Sequence, residues 1–176
     1  MRAYLDFVSG TVVLGVTLAT TLVLLFAVFP ALPIEGEMLD VKAGYTHPEV
    51  IAEMEGYGDQ GRRVYAWSAA TLDTLLPLVY ASFLAGIIFR FRPTERAWRL
   101  AYLPLAAGAL DLLENVQIIV MLTRYPDLSA GQVTIASLFT RSKASALLLC
   151  LALAVVLAIA AAVRRGRRAG TATRSG

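Results

Sequence analysis

The run 144–163 holds no charged side chain. At 1.5 Å per helical residue it extends about 30 Å, the thickness of a hydrocarbon core. Lipid offers nothing to an unpaired backbone N–H or C=O, so such a run is constrained to a transmembrane helix. Three further apolar stretches are long enough to span, at 7–29, 65–89 and 98–123, and the last span begins at 142. Charged residues make up 16% of the chain, against about 25% in a soluble domain. The expected fold class is therefore all-α: a polytopic membrane protein with four transmembrane helices in one bundle over 1–163. A basic tail, 164–176, is expected to be disordered. The first apolar stretch is too long for a leader, has Asp6 beside Arg2 at its start, and lacks a small-x-small cleavage site, so it is read as a retained helix.

Arginine placement sets the expected orientation. Arg90, Arg92, Arg96 and Arg99 surround the connection between spans two and three. Arg164, Arg165, Arg167, Arg168 and Arg174 form the tail, whereas the other side has only Lys42, Arg62, Arg63 and Arg124. Positive residues stay cytoplasmic, which places both termini in the cytoplasm and the chain in a plasma or inner membrane. The net charge of +3 would suit nucleic acid. Because the basic residues flank spans, the implied partner is instead the lipid bilayer, with the tail as a topology anchor.

The loop 30–64 is the one sizeable extramembrane piece. Thr46-His47-Pro48-Glu49 reads as a capping box with proline in the first turn. A short helix to about Glu55 should follow, stopped by Gly56 and Gly58. It is expected to be a structured connector more than a cover over the bundle, with His47 a cap-region residue.

Within 100–122, otherwise suited to lipid, stand Asp111, Glu114 and Asn115. An ionisable group at that depth costs roughly 2.5–3.5 kcal/mol on insertion scales unless partners or water meet it. Spacings of three and four put all three on one helix side. Counted from the flanking arginines, Asp73 on span two and Glu114 on span three lie within about 3 Å of the same depth. Asp73 shares a face with Pro77 and Tyr80, and Pro77 frees the Asp73 carbonyl from its usual helical bond. Two adjacent carboxyls in low dielectric cannot both carry charge cheaply. One is expected to be neutral and hydrogen-bonded, with Asn115 as its partner.

Arg141 and Lys143 open the fourth span and are the possible counter-charges, with Asp73 the nearer acid by depth. Side chains on a helix lean toward its amino end, which is outward here. Both are therefore expected to snorkel to water, with 131–140 a helical extension or an interfacial segment outside. Gly15 and Ala19 form a small-xxx-small pair expected to pack against a neighbouring helix of the same bundle. Trp67, Trp98, Tyr65 and Tyr102 sit where aromatic belts form.

One cysteine, Cys150, and one histidine exclude a cysteine-pair redox centre and make a thiol or imidazole metal site unexpected. No metal, cofactor or catalytic residue is assigned. The candidate ligand-binding residues are Asp73, Tyr80, Asp111, Glu114 and Asn115. Three functions fit: a pocket for a small amphipathic or cationic ligand with acid–base chemistry as its catalytic variant, a structural or assembly subunit held to a partner membrane protein, and a small proton or cation transporter. The layout (span, long external loop with a short helix, three more spans, basic tail) resembles that of the emopamil-binding and sigma-2 receptor type of sterol-related membrane protein. That likeness is one of layout and intramembrane acids, and it carries over no site residue.

Overall fold

The structure of the chain, a computed structural model, describes residues 1–172, with side chains as far as Arg167. Six α-helices form it: α1 (Arg2–Val8), α2 (Thr11–Val23), α3 (His47–Ala70), α4 (Leu72–Phe91), α5 (Tyr102–Arg124) and α6 (Ala130–Ala172). Four continuous helical stretches are long and apolar enough to cross a membrane: Thr11–Ala31, His47–Phe91, Glu95–Arg124 and Ala130–Arg167. The chain is thus an all-α four-span membrane protein.

The first span does not start at Phe7. Ser9 and Gly10 interrupt the helix, and α2 begins at Thr11 with extended Gly10 as its N-cap. The short α1 instead tucks Leu5 and Val8 into the bundle against α4. Gly86 permits this, because a Cβ there would lie 2.9 Å from the Val8 carbonyl carbon and from Leu14 Cδ2. Gly15 and Ala19 face outward, and no atom lies within 4 Å of a Cβ built at Gly15. The expected packing of this small pair inside the bundle does not occur, since α2 meets α4 through its other side.

The second span also departs from a single rod. The Thr46 capping box forms, its backbone N–H donating to Glu49 Oε2 at 2.7 Å. The helix does not stop at Gly56. It breaks at Gly58, where φ +62 and ψ 178 are non-helical, as expected of a glycine stop, and a second helical stretch then continues α3 to Ala70. Thr71 then leaves helical geometry before α4 begins. The tail is helical as far as Ala172, contrary to expectation, because Arg and Ala are strong helix formers and no stop signal precedes Gly166. Residues 173–176, Arg174 among them, lie outside the described residues.

Two apolar clusters build the interior. One joins α1, α4, the amino half of α5 and the carboxyl half of α6, through Leu5, Tyr80, Leu84, Ile88, Ala107 and Cys150. The other joins the loop, α3, the carboxyl half of α5 and the amino half of α6, through Leu39, Val50, Met54, Tyr65, Ile118 and Val133. Between them in register along α5 and α6 lies a polar layer.

The loop segment 32–46 closes over that layer. Leu39 is fully buried, Tyr57 Oη donates to the Glu37 carbonyl at 2.5 Å, and the Tyr45 N–H donates to Ser137 Oγ at 3.0 Å. The loop is therefore a cover and not a plain connector. Its apolar Leu39 and Tyr45 need a place out of water, and the α3–α5–α6 cluster provides it. His47 Nε2 bonds the Leu128 carbonyl at 2.9 Å, a cap-region role. Residues 131–140 belong to this packed cover, with Val133 and Ala136 buried.

Candidate functional site

Helix α5 supplies Asp111, Glu114 and Asn115 on its buried side, all under 4% exposed. From α6, Thr140 and Lys143, one helical step apart, face the same layer. The Lys143 ammonium lies 3.3 Å from Asp111 Oδ1, contacts Glu114 Oε2, and donates to the Asp40 carbonyl of the loop at 3.4 Å. Tyr80 of α4 donates to Asp111 Oδ2 at 2.8 Å, and Thr140 donates to Glu114 Oε1 at 2.5 Å. Each carboxyl thus has one hydroxyl donor and shares one ammonium.

Lys143 does not snorkel. The loop occupies the place where water would be, and the ammonium ends against the Asp40 carbonyl. Its partners are Asp111 and Glu114, with no Asp73 contact. Arg141, two residues earlier, points the other way and is exposed, its guanidinium lying against Gly44. There φ is +131° and a Cβ would fall within 3.1 Å of Arg141 Cζ, so Gly44 is doubly constrained. Of the two possible counter-charges, the structure brings one to the acids.

Asn115 does not serve the neighbouring carboxyls. Its Nδ2 donates to the Asp73 carbonyl at 2.7 Å, across the α4–α5 interface. That is the carbonyl left without a helical donor by Pro77. The carboxamide replaces a backbone N–H and fixes Asp73 level with Asn115.

Asp73 itself, in the first turn of α4, is 3% exposed. Among the described residues its Oδ2 has no hydrogen-bond partner, and the same holds for Asn115 Oδ1 and for Ser68 Oγ on α3. Carboxylate and amide oxygens only accept. The layer therefore contains three carboxyls against one ammonium, and apart from the Ser68 hydroxyl, which can donate or accept, these unpartnered atoms call for donors.

Comparison with known protein families, curated proteins and solved structures gives no match to this chain. The site is read from its own geometry.

The cover is fastened by its own polar contacts. Tyr65 of α3, expected in an aromatic belt, is instead buried and donates to Asp40 Oδ1 at 2.5 Å. Lys42 bridges Glu37 at 3.1 Å and Glu53 at 2.7 Å, and the hydrogen bonds its ammonium donates to Glu53 and then to Glu37 raise its pKa above the ordinary 10.5. Burial pushes the Tyr45 hydroxyl up to about 12, so it remains a neutral phenol beside Thr140. Thr140 and the Asp40 carbonyl were not singled out in the sequence, and Tyr65 figures there only as an aromatic-belt residue. A signal for Thr140 existed: Val133, Ala136, Thr140 and Lys143 repeat at helical spacing, which marks one buried face through the helical extension 131–140. Nothing local identifies a backbone carbonyl of a distant loop.

No group of three or more His, Cys, Asp or Glu residues able to hold a metal ion exists among the described residues. Toward the opposite end of the bundle, the Ser82 hydroxyl is occupied by the Leu78 carbonyl and by Tyr4.

Proposed function

We propose that the protein binds a small amphipathic molecule through a protonated amine or another donor-bearing head group, with Asp73 and Asn115 as the receiving acceptors. The observation that carries this reading is the buried Asp73 carboxyl with an unpartnered Oδ2, beside the equally unpartnered Asn115 Oδ1. A buried acceptor without a donor costs about 1–3 kcal/mol, more when charged. A head group carrying N–H donors would remove that cost and balance the excess negative charge. Tyr80, Asp111, Glu114 and Lys143 then form the wall that holds α4, α5 and α6 in register around it. Entry requires segment 32–46 to move, since Asp40 and Tyr65 close the outer side of the layer.

In this reading the arginine-rich end faces the cytoplasm of a plasma or inner membrane and the cover faces outward, so the head group enters from the outer side. A long-chain primary amine, the matching quaternary ammonium and the matching alcohol separate the requirements. The first has both charge and donors, the second charge alone, and the third a donor alone. Thermal stabilisation of the purified chain is expected in the order amine, alcohol, quaternary ammonium. Stabilisation by none of them, or greatest by the quaternary compound, overturns the proposal.

A second reading, a non-enzymatic structural or assembly subunit, is favoured by Lys143. Its ammonium already satisfies both Asp111 and Glu114 internally, as expected of a polar clamp between helices.

A further inference from the structure

At the end of the bundle away from the cover, α1 meets the 3-10 segment Glu95–Ala101 around a cavity of about 430 Å³ lined by Arg2, Glu95, Arg96, Trp98 and Arg99. Three guanidinium groups converge on it. The single acid there is already used, because Glu95 Oε1 receives Arg92 Nη2 at 2.8 Å. Arg2 stacks over the Trp98 ring at 5.1 Å, which fixes its direction without neutralising it. Arg96 and Arg99 are exposed and have no ion-pair or hydrogen-bond partner among the described residues. Three like charges gathered at a concave site whose one lining acid is already paired with Arg92 are a standing repulsion, which an external anion relieves.

Trp98 decides which anion. It packs on Tyr102 with ring centroids 5.5 Å apart, and Tyr102 and Leu103 are exposed. Tryptophan and tyrosine with apolar neighbours mark the headgroup level of a bilayer. Basic pockets between transmembrane helices at that level suit lipid headgroups. Bidentate N–H pairs on planar guanidinium groups match phosphate oxygens.

We infer that the cleft formed by Arg2, Arg96, Arg99 and Trp98 is a binding site for the phosphate headgroup of an anionic phospholipid. The lipid's acyl chains would follow the apolar surface beside Tyr102, and its phosphate would join α1 to the 3-10 segment. This site is independent of the polar layer at the other end of the bundle.

The test uses the full chain in detergent with added phosphatidylglycerol or phosphatidylcholine, read by thermal unfolding and by lipid retention in native mass spectrometry. Arg96→Gln/Arg99→Gln removes two exposed charges and leaves the core untouched. Arg63→Gln/Arg124→Gln removes the same charge from exposed sites at the cover end. Phosphatidylglycerol is expected to stabilise the wild type and the cover-end variant alike, and to be retained about 30-fold more weakly by Arg96→Gln/Arg99→Gln. Equal retention by both double variants, or equal stabilisation by phosphatidylcholine, overturns the site. Inorganic phosphate reproducing the whole shift would transfer the site to a soluble anion and overturn the lipid assignment.

Discussion

Replacing Lys143 by Met removes the ammonium while keeping most of the stem. In the wild type this group serves two carboxyls at once, with side-chain exposures of 12% for Lys143, 4% for Asp111 and 0% for Glu114. Two limits frame the loss. Breaking a buried ion pair leaves an uncompensated charge and costs about 3–5 kcal/mol. Polar contacts between transmembrane helices average about 0.6 and reach about 1.7 kcal/mol, because the inserted unfolded chain also finds partners. Here both acids lose their shared cation but keep a hydroxyl donor, Tyr80 at 2.8 Å and Thr140 at 2.5 Å. A net loss of about 2–3 kcal/mol follows, between the two limits. At roughly 2–4 °C per kcal/mol for a chain of this size, Tm should fall by about 4–12 °C. Cys150, buried and free, provides the assay: a thiol-reactive dye reports unfolding in detergent. Lys143→Met/Asp111→Asn/Glu114→Gln, which keeps shape and discards all three charges, should recover at least half of the loss. A Lys143→Met variant melting within about 1 °C of wild type refutes the shared-cation argument. So does a triple variant less stable than the single one.

Three further outcomes are expected. Asn115→Leu deprives the Asp73 carbonyl of its donor and should cost about 1–2 kcal/mol. The same change should cost less beside Pro77→Ala, whose restored N–H can return to that carbonyl, and a thermal double-mutant cycle reads the difference. Gly86→Val forces a side chain into the Val8 backbone, displacing α1 at about 1–3 kcal/mol, visible as a lower Tm and faster proteolysis before Thr11. The Lys42 tie to the cover has a defined pH sense. Its folded pKa is raised, so its stabilisation is complete below about pH 10.5 and is lost as pH rises through the higher folded value. The stability gap between wild type and Lys42→Met should be constant at neutral pH and close above that point, and a gap unchanged through pH 11.5 contradicts the tie.

How much could be read beforehand follows from the range of each cause. Span number and the polar face of α5 depend on local composition and helical spacing, and both were legible, as was the carbonyl that Pro77 releases. Helix breaks were less so. Ser9–Gly10 and Thr71 interrupt runs whose hydropathy is continuous, and they exist because α1 and the α3–α4 junction pack against partners remote in sequence. Lys143 shows the limit most clearly. Helix geometry suggests a direction for its stem, but its destination depended on whether water or the loop filled the space beside it. That was decided by Leu39 and Tyr45, about a hundred residues away, finding an apolar seat on α3, α5 and α6. The Arg2–Trp98 contact likewise joins residues two spans apart in the chain and has no local signature.

The most direct measurement compares amine-induced thermal stabilisation in Asp73→Asn and in Lys143→Met/Asp111→Asn/Glu114→Gln, each against wild type. The proposal places the head group on Asp73 and Asn115 and gives the other three residues a supporting role. Stabilisation should therefore vanish in Asp73→Asn and persist in the triple variant. Stabilisation that survives in Asp73→Asn and disappears in the triple variant would put the ligand on the Lys143 cluster and contradict the assignment of Asp73 as receiving group.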